Sequence, residues 1–230
     1  MQKNSDFWNK EYKKGGHLAL SEEPSGDLIK FTRFLERSHG RKILNPTSSV
    51  LDLGCGNGRN LIYLAENFGM RGIGYDISNE AVNIAKKSSE NLPIQYEVRS
   101  IAGTFSLPDS SQSIALDMMT SHFLEASDRK NLVEEIARVL KPGGWLFLKT
   151  FLLDEDLHAK QLLRDNPASE PGSYIHPKIG VAEHVFTEEE IHEALALHFT
   201  VHKISKSHRH REDGHASKRR SMSVYAERNY

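Results

Sequence analysis

The chain has a single cysteine, Cys55, among 230 residues. One thiol excludes an internal disulfide and a thiol-rich metal cluster, so Cys55 has to be explained by its own loop. Net charge is almost absent as well. Thirty Lys and Arg face 31 Asp and Glu, a formal charge of −1, which removes any global drive toward polyanions. No apolar run approaches the roughly 18 to 20 residues of a membrane span, and Met1–Glu11 is too polar for a secretory signal. A cytoplasmic protein without membrane contact is therefore expected. Internal repeats and low-complexity tracts are also missing, which excludes solenoid arrays.

What is present is an ordinary globular composition, 38% hydrophobic and 27% charged, long enough for one α/β domain and short for two. Phe7, Trp8 and Tyr12 fall on one side of a short helix over Ser5–Lys14, which Gly15-Gly16 ends. Leu28–Glu36 repeats helically before the turn at Asn45-Pro46. These two helices are read as an N-terminal cap, residues 1–46, on a domain spanning 47–230. Strands are then predicted at Val50–Leu53, Gly72–Tyr75, Ile94–Val98, Ser113–Met119 and Trp145–Phe151. Helices lie between them, one capped by Ser78 and one at Arg129–Leu140 that stops before Pro142-Gly143-Gly144. Alternation of this kind predicts a doubly wound, mostly parallel sheet with helices on both faces, because right-handed crossovers admit few other topologies. Residues 152–186 lose periodicity and gather Pro167, Pro171, Gly172, Pro177 and Gly180, so they read as an insertion after strand five. Thr187 starts a last helix. Thr200–Ser205 and Ser221–Ala226 complete a seven-stranded sheet as an antiparallel C-terminal hairpin.

The informative run is Leu51-Asp52-Leu53-Gly54-Cys55-Gly56-Asn57-Gly58, where a strand becomes a helix, with Asp76 at the end of the next strand. Glycines let the backbone turn tightly and a ligand approach, and a carboxylate after the second strand suits two ribose hydroxyls. A G-x-G-x-G spacing preceded by an acid differs from the G-x-G-x-x-G dinucleotide fingerprint. Asp52 would repel a pyrophosphate but attract the ammonium of a methionine moiety, which favours a sulfonium nucleoside.

The D-L-G-C-G-N-G run, Asp76 and the L-K-P-G-G-W turn before strand five resemble the class I, Rossmann-like S-adenosylmethionine-dependent methyltransferases. Gly58-Arg59-Asn60 and the aromatic N-terminus are similar to small-molecule enzymes of the tellurite-resistance and thiol-methylating kind. The resemblance implies S-adenosylmethionine as cofactor. It places Asp52, Gly54, Cys55, Gly56 and Gly58 around the methionine end, Asp76 on the ribose and Ile77 on the adenine. Where many relatives carry an acid after strand three, this chain has Ser100 before Ile101, so the adenine amino group would meet a weaker acceptor.

Ligands of open parallel sheets sit beyond the carboxyl ends of the strands, which brings Thr120, Ser121, His122 and Phe123 to the transferred methyl group. His122 is the candidate catalytic base, or else a lining residue. Trp8 and Tyr12 are expected to close over the cofactor, and Tyr174 and His176 of the insertion to reach the acceptor, a small-molecule nucleophile. His176 and His184 match no metal spacing, so no metal is expected. Lys206–Arg220 is basic but lacks interleaved aromatics, and nucleic acid is not expected as a partner.

Overall fold

The computed structural model describes residues 2–14, 21–207, 211–212, 215–216 and 219–230. In chain order the elements are α1 (Gln2–Lys14), α2 (Gly26–His39), β1 (Ser49–Leu53), α3 (Arg59–Phe68), β2 (Arg71–Asp76), α4 (Asn79–Ser88) and β3 (Ile94–Val98). They continue with β4 (Gln112–Met118), a 3₁₀ turn (Ser121–Phe123), α5 (Ala126–Val139), β5 (Leu140–Phe151), α6 (Leu157–Asp165), β6 (Ser173–Ile175) and β7 (Ala182–His184). Last come α7 (Glu188–Leu195), β8 (Phe199–Lys206), the two-residue β9 (Arg211–Glu212) and β10 (His215–Ala216), and β11 (Ser221–Arg228).

The seven-stranded sheet runs β3-β2-β1-β4-β5-β11-β8. The first five strands are parallel, and β11 lies antiparallel between β5 and β8. The fold is the doubly wound one that the strand–helix alternation implies. Successive side chains of a strand point to opposite faces, so each buried strand serves two cores. Leu51 and Leu53 of β1, Ala115 of β4 and Leu146 and Leu148 of β5 pack with α5 and α7. Val50, Ile114, Leu116, Trp145 and Phe147 meet α2, α3 and α4 on the other face. α2 is therefore a full member of a layer: Leu28, Phe31 and Leu35 are completely buried, and Phe31 stacks on Phe147 at 5.0 Å.

Two local readings need correction. β5 begins at Leu140 rather than Trp145, its ladder with β4 shifting register between Gln112 and Ile114, and Gly143 holds φ +73° inside it. The 152–186 insertion is not irregular: it holds α6 and the β6–β7 hairpin around a small core of Ala159, Tyr174 and Val185. Asp156 caps α6 by accepting from the amides of His158 and Ala159, a cap that the surrounding Asp and Glu residues conceal in the sequence. Within the basic stretch, residues 208–210, 213–214 and 217–218 lie outside the described residues. No helix among those described is long and apolar enough to cross a membrane.

Candidate active site

The turn from β1 into α3 is built by left-handed backbone. Gly54, Gly56 and Gly58 have φ of +73°, +56° and +78°, a region that favours glycine. The amides of Gly54 and Cys55 both donate to the carbonyl of Tyr75, at 2.7 and 2.9 Å, which hooks the loop over the end of β2. Asp76, one residue further, fixes both strands. Its Oδ2 accepts from the Gly56 amide at 2.9 Å and its Oδ1 from the Ser78 amide at 2.8 Å. Burial raises the Asp76 carboxyl above the usual range, opposed by the hydrogen bonds from Ser78, Gly56 and Ile77.

A cavity of about 270 Å³ opens beside this loop, at the carboxyl ends of the parallel strands. Gly54, Cys55, Gly56, Asp76, Ile77, Ser100, Ile101, Thr120, Trp8, Tyr12 and Phe123 all line it. α1 forms one wall, held by the Ser5 hydroxyl on the Ile77 carbonyl (3.1 Å) and by Asn9, whose Oδ1 accepts from the Ser78 hydroxyl (2.9 Å) and the Glu80 amide (3.2 Å). From that wall Trp8 meets Phe123 edge-on, ring centroids 5.2 Å apart. Thr120 sits where a Cβ on Gly54 would lie, and the Tyr12 hydroxyl where one on Gly56 would lie, so both glycines are needed for close packing. Burial, and then the negative field of Asp76, pushes the Tyr12 phenol up, and burial likewise raises the Cys55 thiol. Cys55 is thus held as a compact neutral thiol in the loop.

Several expected residues stand elsewhere. Gly58 is off the lining; it starts α3, and a Cβ there would fall 2.4 Å from the Tyr96 hydroxyl. Asp52 is 1% exposed beneath the loop, also off the lining, with Oδ2 lacking a hydrogen-bond partner. Burial first, then Asp76 and Asp117, lift its carboxyl to about 7. His122 is corrected as well: it lies behind the cavity wall, 2% exposed, between Phe123 and Phe151 at 4.0 and 5.0 Å, with neither ring nitrogen bonded. Burial, helped by Arg219, lowers its imidazole to about 3, which leaves it without basicity near neutral pH. Tyr174 is fully buried in the insertion, donating to Glu183 at 2.5 Å and accepting from Arg219. His176 Nδ1 accepts from the amides of Lys178 and Ile179 (3.2 and 3.4 Å) in the turn between β6 and β7. Neither of these insertion residues lines the cavity.

The cavity also gathers residues to which the sequence motifs assign no site role. Arg59 donates to the carbonyls of Ser21 and Glu23 (3.4 and 3.1 Å), and Asn57 donates to Ser21 (3.0 Å), tying the segment before α2 to the glycine loop. Asn60 accepts from the Ser25 amide at 3.1 Å and donates to the Met118 sulfur at 3.4 Å. Arg59 and Asn60 directly follow the glycines, so adjacency alone could have marked them. Lys149 lines the far end, paired with Asp27 at 2.7 Å.

The comparisons fit this geometry. Residues 50–144 match the methyltransferase domain family. A structure of an S-adenosylmethionine-dependent methyltransferase from Methanosarcina mazei is 25% identical, covers 82% of this chain and 96% of its own, and superposes with a TM-score of 0.69. The 1,6-didemethyltoxoflavin-N1-methyltransferase of Burkholderia thailandensis, solved with 1,6-didemethyltoxoflavin and S-adenosylhomocysteine, shares the fold over 100% of this chain and 90% of its own (TM-score 0.67, 18% identity). Among curated relatives, glycine/sarcosine/dimethylglycine N-methyltransferase of Actinopolyspora halophila is 23% identical over 80% of this chain and 34% of its own. The chain spans about a third of the length of the first curated relatives it matches. Residues 50–144 thus match a methyltransferase domain, and the fold is that of the class I, Rossmann-like, S-adenosylmethionine-dependent methyltransferases.

S-Adenosylmethionine is the cofactor of this family, and the residues present fit it. The Asp76 carboxylate accepts from backbone amides on both oxygens and, with about four lone-pair sites, has capacity left that would take a ribose hydroxyl. Ile77 and Ile101 line the cavity and would supply apolar surface for the adenine, with Ser100 in the same lining. When ionised, the buried Asp52 carboxyl beneath the loop, whose Oδ2 has no hydrogen-bond partner, would give the methionine end a negative field without direct contact.

Proposed function

We propose that the protein transfers the methyl group of S-adenosylmethionine to a small-molecule nucleophile. One observation carries this reading: the cavity beside the glycine loop is walled by α1 on one side and by Met118–Leu124 on the other, with Trp8 in edge contact with Phe123 between them. This partly open cavity of about 270 Å³, where Trp8 meets Phe123, supports a compact acceptor. When bound, the cofactor supplies a sulfonium methyl, whose carbon–sulfur bond breaks toward sulfur as the acceptor's lone pair bonds the carbon.

What the chain contributes is alignment and exclusion of water. Asp76 and the glycine loop set the nucleoside, Thr120 against Gly54 sets the end of β4, and the Trp8 and Phe123 rings shield the reacting centre while favouring a cation. With His122 buried and uncharged behind the wall, the acceptor's own nucleophilicity carries the reaction. The test is to incubate the full chain with methyl-labelled S-adenosylmethionine and a cell extract, then separate small molecules, RNA and protein. Label in the small-molecule fraction supports the reading. Label confined to RNA or protein moves the acceptor to a macromolecule, and binding without any transfer reduces the chain to a cofactor-binding module.

A further inference from the structure

The lining residues sort along the sheet order. Asp76 and Ile77 end β2, and Ser100 and Ile101 follow β3; the glycine loop ends β1, Met118–Thr120 end β4, and Lys149 stands on β5, opposite Met118 in the ladder. If the nucleoside lies over β2 and β3 and the sulfonium over β1 and β4, the space in front of β5 is left for the acceptor. Three charged side chains line the cavity among the described residues: Arg59, Asp76 and Lys149. Arg59 is committed to the Ser21 and Glu23 carbonyls, and Asp76 to the glycine loop. Lys149 is the charge that faces the acceptor end.

Its counter-ion is shared. Asp27 pairs with Lys149 at 2.7 Å through one oxygen and with the exposed Lys30 at 2.9 Å through the other, so two ammonium groups stand on one carboxylate. The group carries a net positive charge, and the Lys149 ammonium, with three donors, keeps hydrogen-bonding capacity beyond Asp27. Ser25 adds to it. It is the N-cap of the 14-residue α2 and lines the same cavity, and its hydroxyl makes no capping bond.

We propose that Lys149 is a specificity-determining residue that selects an acceptor bearing an anionic group, a carboxylate or a phosphate, seated between Lys149 and Ser25. The inference rests on the small-molecule methyltransferase reading above. The anionic group is a handle and not the accepting atom, because an ammonium beside a nucleophilic oxygen draws on the lone pair that must attack. The product therefore keeps its negative charge.

The experiment uses the full chain, methyl-labelled S-adenosylmethionine and the small-molecule fraction of a cell extract. The labelled product should be retained on a strong anion exchanger at pH 8. Retention that persists at pH 2 marks a phosphate, and retention lost at pH 2 marks a carboxylate. Lys149→Met should raise the extract concentration for half-maximal labelling at least tenfold while changing the dissociation constant for S-adenosylmethionine less than twofold, and Lys149→Arg should recover most of the loss. A product unretained at pH 8 overturns the proposal. So does a tenfold weaker cofactor affinity in Lys149→Met, which would assign Lys149 to the cofactor's own carboxylate. Cofactor binding with no label in any small molecule fails the underlying reading instead, and is distinguished by the unlabelled fraction itself.

Discussion

The Gly56 amide donates to Oδ2 of Asp76 across twenty residues, at 2.9 Å, so the glycine loop and the acid that ends β2 form one unit. The same carboxylate lines the cavity. Replacing it has two separable effects. Asp76→Ala should weaken S-adenosylmethionine binding by about 1.5 to 3 kcal/mol, by removing a charged acceptor from two ribose hydroxyls. It should also lower thermal stability, since the Gly56 and Ser78 amides lose their acceptor. Asp76→Asn keeps one acceptor and should fall between on both. Calorimetric titration with parallel thermal unfolding checks this, and an unchanged dissociation constant in the Ala variant would place the ribose elsewhere.

Gly58 separates structure from ligand binding. Its φ of +78° is strained for any side chain, and a Cβ would lie 2.4 Å from the Tyr96 hydroxyl and 3.0 Å from Ala85. Gly58→Ala should cost about 1 to 3 kcal/mol of stability in denaturant titration. Because Gly58 is off the cavity lining, cofactor affinity per folded molecule should change less than threefold.

How much of this was legible in the sequence depends on how local each signal is. The glycine loop, Asp76 and the five parallel strands were readable because strand period and left-handed glycines are written within a few neighbouring residues. The insertion was not, because its order comes from partners far apart in the chain. Arg219 reaches Glu183 and Tyr174, 36 and 45 residues away, and lies on the Phe151 ring at 3.6 Å. His122 misled for a related reason: position after β4 brings a residue to the rim but does not say which way its ring turns. Here the ring turns between Phe123 and Phe151. Lys149 was predictable from its place at the end of a parallel strand, yet its distinguishing partner Asp27 belongs to a helix more than a hundred residues earlier.

The Arg219–Glu183 pair should control whether the insertion stays docked. Glu183 is 2% exposed, and Arg219 is its ion-pair partner. Arg219→Met would strand a buried carboxylate, at a cost of about 3 to 5 kcal/mol. The loss should be local. Hydrogen exchange should speed up at residues 173–184 while the amides of β1 and β4 keep their protection, and adding Glu183→Gln should restore part of the difference. Uniform loss of protection across the sheet would show instead that the insertion and the sheet unfold together.

Two buried groups should give the ligand-free protein opposing pH dependences of stability. His122 has a folded pKa of about 3 against the ordinary 6.5, so below pH 6.5 the unfolded chain takes up a proton that the folded one refuses. That contribution is complete above pH 6.5 and is lost as pH falls toward 3. Asp52 runs the other way. Its folded value of about 7 exceeds the ordinary 3.8, so its contribution is complete below pH 3.8 and is lost as pH rises through 7. Asp117, raised to about 6 by burial, adds to the Asp52 direction. Between pH 4 and 6.5 the slopes oppose each other in the wild type, and single substitutions should expose them. His122→Leu removes a ring whose nitrogens have no partners, so it should not destabilise at pH 5. Relative to wild type it should gain about 1.5 kcal/mol on going from pH 6.5 to pH 5. Asp52→Asn should gain relative to wild type as pH rises from 5 to 7.5, while weakening cofactor binding through loss of the field on the methionine ammonium. Urea titrations at pH 5, 6.5 and 7.5 read the stability changes and calorimetric titration reads the cofactor affinity, and parallel pH curves for wild type and His122→Leu would mean that the imidazole is hydrated and bonded in solution.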